Sequence, residues 1–193
     1  MPLKATQRIV VIGTSGAGKT AFARELALGL GAPHVELDAL YWLPNWTQRE
    51  PGEFRELVDQ ATAQERWIVD GNYRHVRDLV WKRATDLVWL DYSFATVFSR
   101  ALRRTLRRIT TGQLIHNGNR ETFRGAFLSW HGIPIWVLRT YWRRRREHPA
   151  LLTDPHYAHL KVTTFASPPE AAAFLNRITR TLSRSDESST AGH

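Results

Sequence analysis

Residues 8–12, Arg-Ile-Val-Val-Ile, make a short run of β-branched apolar side chains, and three later segments repeat the theme. They are Trp-Ile-Val-Asp at 67–70, Asp-Leu-Val-Trp-Leu-Asp at 86–91 and Leu-Lys-Val-Thr-Thr-Phe at 160–165. Such runs, bounded by turn residues and separated by stretches of helical period, read as strands of a parallel sheet. A further short strand is expected at 33–38, with Asp38 at its C-terminal end. Between the strands, residues 21–28 and 76–83 have helical patterning. Thr47-Gln48-Arg49-Glu50 reads as a capping box, with Pro51 in the first turn and Phe54, Leu57, Val58 and Ala61 at helical spacing. Ser167-Pro168-Pro169-Glu170 is a second such box and opens a last helix to about Leu182. The polar tail, 183–193, is expected to be disordered. Strands alternating with helices predict an α/β fold of three layers, a parallel sheet with helices on both faces, binding ligands beyond the strand C-termini.

One segment breaks the alternation. Residues 94–148 form a long helical insert in which Phe98, Leu102, Leu106 and Ile109 make an apolar stripe and Arg100, Arg103, Arg104, Arg107 and Arg108 cover the remaining surface. Asn117-Gly118-Asn119 is expected to be a hinge turn. Phe123, Phe127 and Trp130 mark a second helix, and Pro134 opens a third that runs through Arg143 to Arg146 and stops before Pro149. No internal repeat is present, so residues 1–182 are expected to form one domain.

Charge sharpens the picture of that insert. From Arg100 to Arg146 there are twelve arginines against a single acid, Glu121, while the rest of the chain has fifteen basic and seventeen acidic residues. The formal excess of +9 therefore lies wholly in the insert. Its counterpart is either a polyanion or the phosphates of a nucleotide. The absence of Cys excludes disulfides and thiolate metal sites and suits a reducing cytoplasm. No apolar stretch approaches the roughly 20 residues that span a bilayer, and the N-terminus lacks the apolar core of a signal peptide. A cytoplasmic protein without membrane contact is expected.

The sharpest chemical signal follows the first strand. Gly13-Thr14-Ser15-Gly16-Ala17-Gly18-Lys19-Thr20 fits G-x-x-x-x-G-K-[ST] without mismatch, between a strand and a helix as that motif requires. Glycines let the backbone turn tightly and aim N–H groups at phosphate oxygens. Lys19 supplies a mobile positive charge for the β- and γ-phosphates, and the Thr20 hydroxyl is placed to ligate Mg²⁺. The dipole of the following helix adds to the same spot.

Around this loop, two carboxylates stand out. Asp70, ending the third strand, sits where a carboxylate meets Mg²⁺ directly or through water, a reading preferred to its alternative of capping the turn at Gly71. Gly71 stands where water-activating ATPases commonly carry Glu, which favours transfer to an acceptor over hydrolysis. No Asn-Lys-x-Asp sequence reads guanine, so ATP is the expected nucleotide. Asp38 is the candidate to orient or deprotonate an acceptor hydroxyl, and a loop-capping role stands beside that reading. Tyr41, Trp42 and Trp46 follow it in a Pro-containing loop and are candidates to wall an acceptor pocket. His34, His75, His116, His131, His148, His156 and His159 show no metal-ligand spacing and receive no role.

The arginines of the insert admit two uses. A rigid guanidinium fork stabilises the charge spread over a transferring phosphoryl group, and a lid carrying such forks excludes water. Arginines beside Trp and Tyr also suit nucleic acid, whose backbone they neutralise and whose bases the rings stack.

Taken together, the loop at Gly13, Glu36-Leu37-Asp38-Ala39-Leu40-Tyr41-Trp42-Leu43-Pro44-Asn45-Trp46, Val69-Asp70-Gly71-Asn72-Tyr73 and Asn117-Gly118-Asn119-Arg120-Glu121 resemble the adenylate-kinase-like P-loop NTPases often labelled DNA topology modulation proteins. The resemblance implies a five-stranded parallel sheet of order 2-3-1-4-5, ATP over the P-loop and an Arg-bearing lid. The chain is also similar, more distantly, to shikimate and gluconate kinases, in which an Asp after the second strand handles the acceptor; Asp38 matches by position. Where adenylate kinases carry Asp-Gly-Phe-Pro-Arg, this chain reads Asp70-Gly71-Asn72-Tyr73-Arg74, lacking the Phe-Pro pair. Arg74 and Arg77 remain candidates to hold an acceptor anion. These features lead to an expected ATP- and Mg²⁺-dependent kinase of a small hydroxyl-bearing or anionic acceptor. In it Lys19, Asp38, Asp70, Arg104, Arg108 and Arg120 carry the chemistry, and Tyr41, Trp42, Arg74 and Arg77 contact the acceptor. The alternative is a nucleic-acid-binding P-loop ATPase or regulator affecting DNA topology.

Overall fold

The computed structural model describes residues 7–115, 117–123, 126 and 133–190. Five strands form the parallel sheet: β1 (Arg8–Gly13), β2 (His34–Glu36), β3 (Trp67–Asp70), β4 (Asp86–Leu90) and β7 (Lys161–Phe165), in the order β2-β3-β1-β4-β7. That is the expected 2-3-1-4-5 arrangement of the main sheet. The remaining two strands, β5 (Leu114–Ile115) and β6 (Asn119–Arg120), form a separate antiparallel hairpin within the insert.

Alternation along the strands divides the apolar side chains between two cores. Ile9 and Val11 of β1, Ile68 of β3 and Val88 and Leu90 of β4 pack with residues of α1 (Lys19–Leu30) and α7 (Pro168–Thr190). Val10, Ile12, Trp67, Val69, Leu87 and Trp89 face the opposite way, toward α3 (Pro51–Ala61) and α4 (Arg77–Arg83). The registers Val11↔Asp70 and Gly13↔Leu90 bring the strand C-termini to one edge. Because β1 lies centrally, its terminal loop opens at the middle of that edge.

Several boundaries differ from the sequence expectation. β2 ends at Glu36, paired with Asp70, because β3 stops there and offers no further ladder. The chain then curls into α2 (Leu37–Tyr41), so Asp38 stands in a helical first turn and not at a strand end. Gly71 makes this close approach possible: its φ is 141°, and a Cβ there would lie 2.8 Å from that of Leu37. The cap of α3 is Glu50, whose carboxylate accepts from Glu53 N, and not Thr47. Thr47 instead closes a small loop in which its carbonyl accepts from Leu43 N.

The insert is built on α5 (Phe94–Thr111) and α6 (Ile133–Leu152), which pack together. Pro149 lies inside α6 and does not end it. A single proline removes one backbone donor, while Leu151 and Leu152 pack on the core and His148 sits edge-to-face on Trp89, holding the last turn in place. The second insert helix expected around Phe127 and Trp130 falls outside the described residues. α7 opens as expected, with Ser167 Oγ and Ala166 N donating to the Glu170 carboxylate, and continues to Thr190, past the expected stop at Leu182. Among the described residues no helix is long and apolar enough to cross a membrane.

Candidate nucleotide and acceptor site

The loop between β1 and α1 has the conformation its sequence predicts. Gly13, Gly16 and Gly18 have φ of 152°, 92° and 93°, values at which a side chain would be strained. A Cβ on Gly16 would also lie 2.4 Å from Val97 O and 2.9 Å from Ala101 Cβ, and one on Gly18 would lie 2.9 Å from Arg100 Nη2. Helix α5 therefore rests directly on the loop. Gly16→Ala is expected to combine backbone strain with this collision and to destabilise the fold by about 2–3 kcal/mol, read as a lower denaturation midpoint.

That contact fixes which face of α5 turns inward. Val97, Ala101 and Thr105 are buried, whereas Leu106 of the expected apolar stripe is 44% exposed. Small side chains are needed where the helix meets a glycine loop, so the Val97–Ala101–Thr105 edge wins and the arginines divide between inside and outside. In α6, Val137, Tyr141 and His148 are buried, with Arg144 at helical spacing on the same face. Leu138, Arg139, Trp142, Arg143 and Arg146 lie exposed on the other.

Behind the loop, Thr20 Oγ1 donates to Asp70 Oδ2 at 2.6 Å, and His34 Nε2 lies 3.0 Å from Asp70 Oδ1. Asn72 ties down the start of the loop: its Nδ2 donates to Gly13 O at 2.6 Å and its Oδ1 accepts from Gly13 N at 3.4 Å. Beside it, Tyr73 donates its hydroxyl to Asp38 Oδ1 at 2.6 Å. Burial and the Asp38 charge push the Tyr73 phenol well above its ordinary value, so it remains a donor.

Electrostatics link these groups to one another. Burial lowers the Lys19 ammonium to about 8, and the charges of Arg144 and Arg104 act in the same direction, opposed by Asp38 and Asp70. Burial likewise pulls the Arg104 and Arg144 guanidiniums below their usual value, again opposed in part by Asp38. Asp38 is thus within electrostatic reach of all three cations. Arg104 Nε is buried with no hydrogen-bond partner, a donor left over within reach of the charges of Arg108, Glu121 and Asp38. Oxygen donors at Thr20 and Asp70, without a larger cluster of His or carboxylate groups among the described residues, fit the way Mg²⁺ is held.

Other expected residues fall elsewhere. Arg108 pairs with Glu121 at 2.8 Å. Arg120 is exposed on β6, with its carbonyl accepting from Trp46 Nε1. Arg74 is exposed, whereas Arg77 is half-buried over Trp81 and lines a cleft with Gly71, Asn72, Tyr73 and His148. Tyr41 packs on Phe54 and Tyr73 as well as on Trp42, so it braces the wall beside Asp38. Asn117 and Asn119 form a clasp where a hinge was expected. Asn117 Nδ2 donates to Ala39 O and Trp42 O, and Asn119 accepts from Trp46 N and donates to Leu43 O. These bonds hold Asn45 and Trp46 at φ of 61° and 56°, unusual for residues with side chains.

His148 feels some of the same charges. Burial, followed by the charges of Arg144, Arg77 and Lys19, lowers its imidazole from 6.5 to about 4. The unfolded chain takes up a proton as the pH falls below about 6.5 that the folded chain refuses until about 4, so stability is lost across that window. The loss is expected to approach about 3 kcal/mol. His148→Phe keeps a ring against Trp89 and should show a smaller drop in urea midpoint between pH 7 and pH 4.5.

His34, Asn72, Tyr73 and Arg144 carry no sequence signal for this placement. The partners of the first three are set by strand and loop pairings 35 to 59 residues apart, and Arg144 sits in a run of four identical residues.

Comparison with known proteins bears on the fold that carries these residues. The family model described as ATPase family associated with various cellular activities (AAA) matches residues 9–70, the stretch from β1 through the loop to Asp70. "Uncharacterized protein YqaC" of Bacillus subtilis (strain 168) is 34% identical over 67 residues, a match spanning 34% of this chain and 38% of that protein. The chain thus aligns with little more than a third of that relative's length. Among solved structures, shikimate kinase from Acinetobacter baumannii aligns with a TM-score of 0.54 at 16% identity, covering 94% of this chain and 95% of that one. Shikimate kinase from Bacteroides thetaiotaomicron gives 0.52 at 16%, with 93% and 99% covered. A gluconokinase from Sinorhizobium meliloti 1021 gives 0.50 at 19%, with 99% and 100% covered. The chain has a P-loop NTPase architecture of the kind seen in these small-molecule kinases.

Proposed function

We propose that this protein is an ATP- and Mg²⁺-dependent kinase that transfers the γ-phosphoryl group to a hydroxyl of a small anionic or polyhydroxylated acceptor. The observation that carries this reading is Asp38, a carboxylate that accepts from the Tyr73 hydroxyl and stands within electrostatic reach of the cations Lys19, Arg104 and Arg144. The backbone amides of Gly13 to Gly18 hold the triphosphate and Lys19 neutralises its β- and γ-oxygens. Thr20 and Asp70 hold Mg²⁺, which offsets the negative charge of the phosphates when bound. Asp38 accepts the acceptor's hydroxyl proton while the oxygen bonds to the γ-phosphorus and the bond to the bridging oxygen of ADP breaks. Arg104 and Arg144 stabilise the equatorial charge, and Tyr41, Trp42 and Arg77 border the acceptor.

Incubation of the protein with ATP, Mg²⁺ and a broad metabolite panel tests the proposal, with a phosphorylated product expected. If no compound is phosphorylated and DNA or RNA stimulates ATP turnover, the reading fails. The nucleic-acid alternative draws on exposed arginines of the insert, Arg103 and Arg107 on α5 and Arg143 and Arg146 on α6, the helix that also carries Trp142, itself 56% exposed. It requires salt-dependent DNA binding that is lost when Arg143 and Arg146 are neutralised and Arg144 is left in place.

A further inference from the structure

The carboxylate of Asp70 is almost fully buried, at 3% exposure, and its two oxygens have separate partners. Oδ2 faces the Thr20 hydroxyl at 2.6 Å, and Oδ1 faces His34 Nε2 at 3.0 Å. An ionised carboxylate can only accept, so the ring nitrogen is the donor. The arrangement follows from the sheet. Glu36 pairs with Asp70 and His34 with Ile68, and side chains two residues apart on a strand share a face. His34 and Asp70 therefore project to the same side, the side that α1 covers with Thr20.

We infer that His34 is a positioning residue for the cation site, fixing the rotation of the Asp70 carboxylate so that Oδ2 is presented to the metal beside Thr20. The inference rests on the reading of Thr20 and Asp70 as the Mg²⁺ ligands. Without the imidazole, Oδ1 loses its donor in a site with little access to water, and the carboxylate can turn about its terminal bond to seek another. A hydrogen bond to the outer oxygen of a ligating carboxylate holds it in one orientation before the cation arrives, and such partners commonly change metal affinity by about 10–100-fold.

The test uses Mn²⁺ as a spectroscopic stand-in for Mg²⁺, with free Mn²⁺ measured by electron paramagnetic resonance in the presence of protein and ADP. His34→Ala is expected to weaken Mn²⁺ binding by about tenfold while leaving ADP affinity in EDTA unchanged. His34→Gln places an amide N–H near the position of Nε2 and should restore most of the affinity, whereas His34→Asn falls short and should behave as alanine does. The Gln–Asn contrast decides the matter if the alanine variant does not fold. Asp70→Asn separates this inference from the reading beneath it. If Asp70→Asn weakens Mn²⁺ binding but all three His34 variants match the parent, His34 merely packs and the inference is overturned. If Asp70→Asn has no effect either, the assignment of Asp70 to the cation site falls, and the inference with it.

Discussion

Lys19→Met is expected to lower phosphoryl transfer by about a thousandfold or more while making the nucleotide-free protein no less stable. The two halves of this expectation have one cause. Lys19 is held in a buried site that disfavours its charge, with Arg144 and Arg104 adding repulsion. Its lowered value of about 8, against 10.5 in the unfolded chain, means that the fold bears a cost for the ammonium at neutral pH. As pH rises from about 8 to 10.5 the folded state gives up this proton before the unfolded state does, so wild-type stability increases across that window. Methionine keeps the aliphatic stem and removes the charge. The variant should equal or exceed the wild type in urea midpoint at pH 7 and lack the alkaline rise, while ATP binding weakens strongly by calorimetry. A variant that turns over normally, or one that unfolds early at pH 7, contradicts this account of the site.

The same tension between stability and binding explains which features the sequence reveals. The P-loop is a contiguous motif whose glycines, lysine and threonine do their work locally, and its conformation matches its spacing. Strand positions follow from local patterning, whereas the strand order is implied by the resemblance to adenylate-kinase-like P-loop proteins, since apolar runs such as 8–12 and 67–70 mark strands without saying which neighbours they pair with. What the sequence hides depends on pairings made across the fold. Asp38 moves from strand to helix because β3 ends opposite Glu36, and no local feature of residues 33–38 announces that end. Arg143, Arg144, Arg145 and Arg146 look alike in the chain, yet a turn of about 100° per residue sends each in a different direction. Arg144 turns inward within electrostatic reach of Asp38, Arg145 bonds the Tyr141 hydroxyl and lies 3.5 Å from Asp91, and Arg143 and Arg146 face outward. In α5 the choice of face is made by Gly16, some eighty residues away, because its missing side chain admits Val97 and Ala101 and nothing larger.

The asparagines of the β5–β6 hairpin show the same dependence on partners. Read alone, Asn117-Gly118-Asn119 is a turn, and in the structure it remains one, with φ of 60° at Asn117 and 82° at Gly118. Its function comes from side-chain amides that reach the backbone of residues 39–46 and join the insert to the loop beyond Asp38. The insert and the loop beyond Asp38 are consequently coupled through hydrogen bonds, and the loop's unusual backbone conformation is tied to them.

Asp38→Asn is expected to reduce kcat by about 10²- to 10⁴-fold, measured with whichever acceptor the metabolite panel yields, and to leave ATP affinity unchanged or improved. Asparagine retains an oxygen that accepts from Tyr73, so the wall beside the P-loop keeps its geometry, but its amide cannot take the acceptor's proton. It also removes the negative charge that opposes the repulsion among Lys19, Arg104 and Arg144. The surroundings of Lys19 become more positive, which favours the triphosphate, and the Lys19 ammonium moves still lower than about 8. Two signatures should therefore appear together: a loss confined to turnover, and ATP binding that begins to weaken at a lower pH than in the wild type. Tyr73→Phe supplies the control, since it leaves the carboxylate charged but frees its orientation, and a smaller fall in kcat without the acid-ward displacement is expected. Full turnover in Asp38→Asn would reduce Asp38 to a carboxylate stabilising the first turn of α2, and proton transfer from the acceptor would have to find another base.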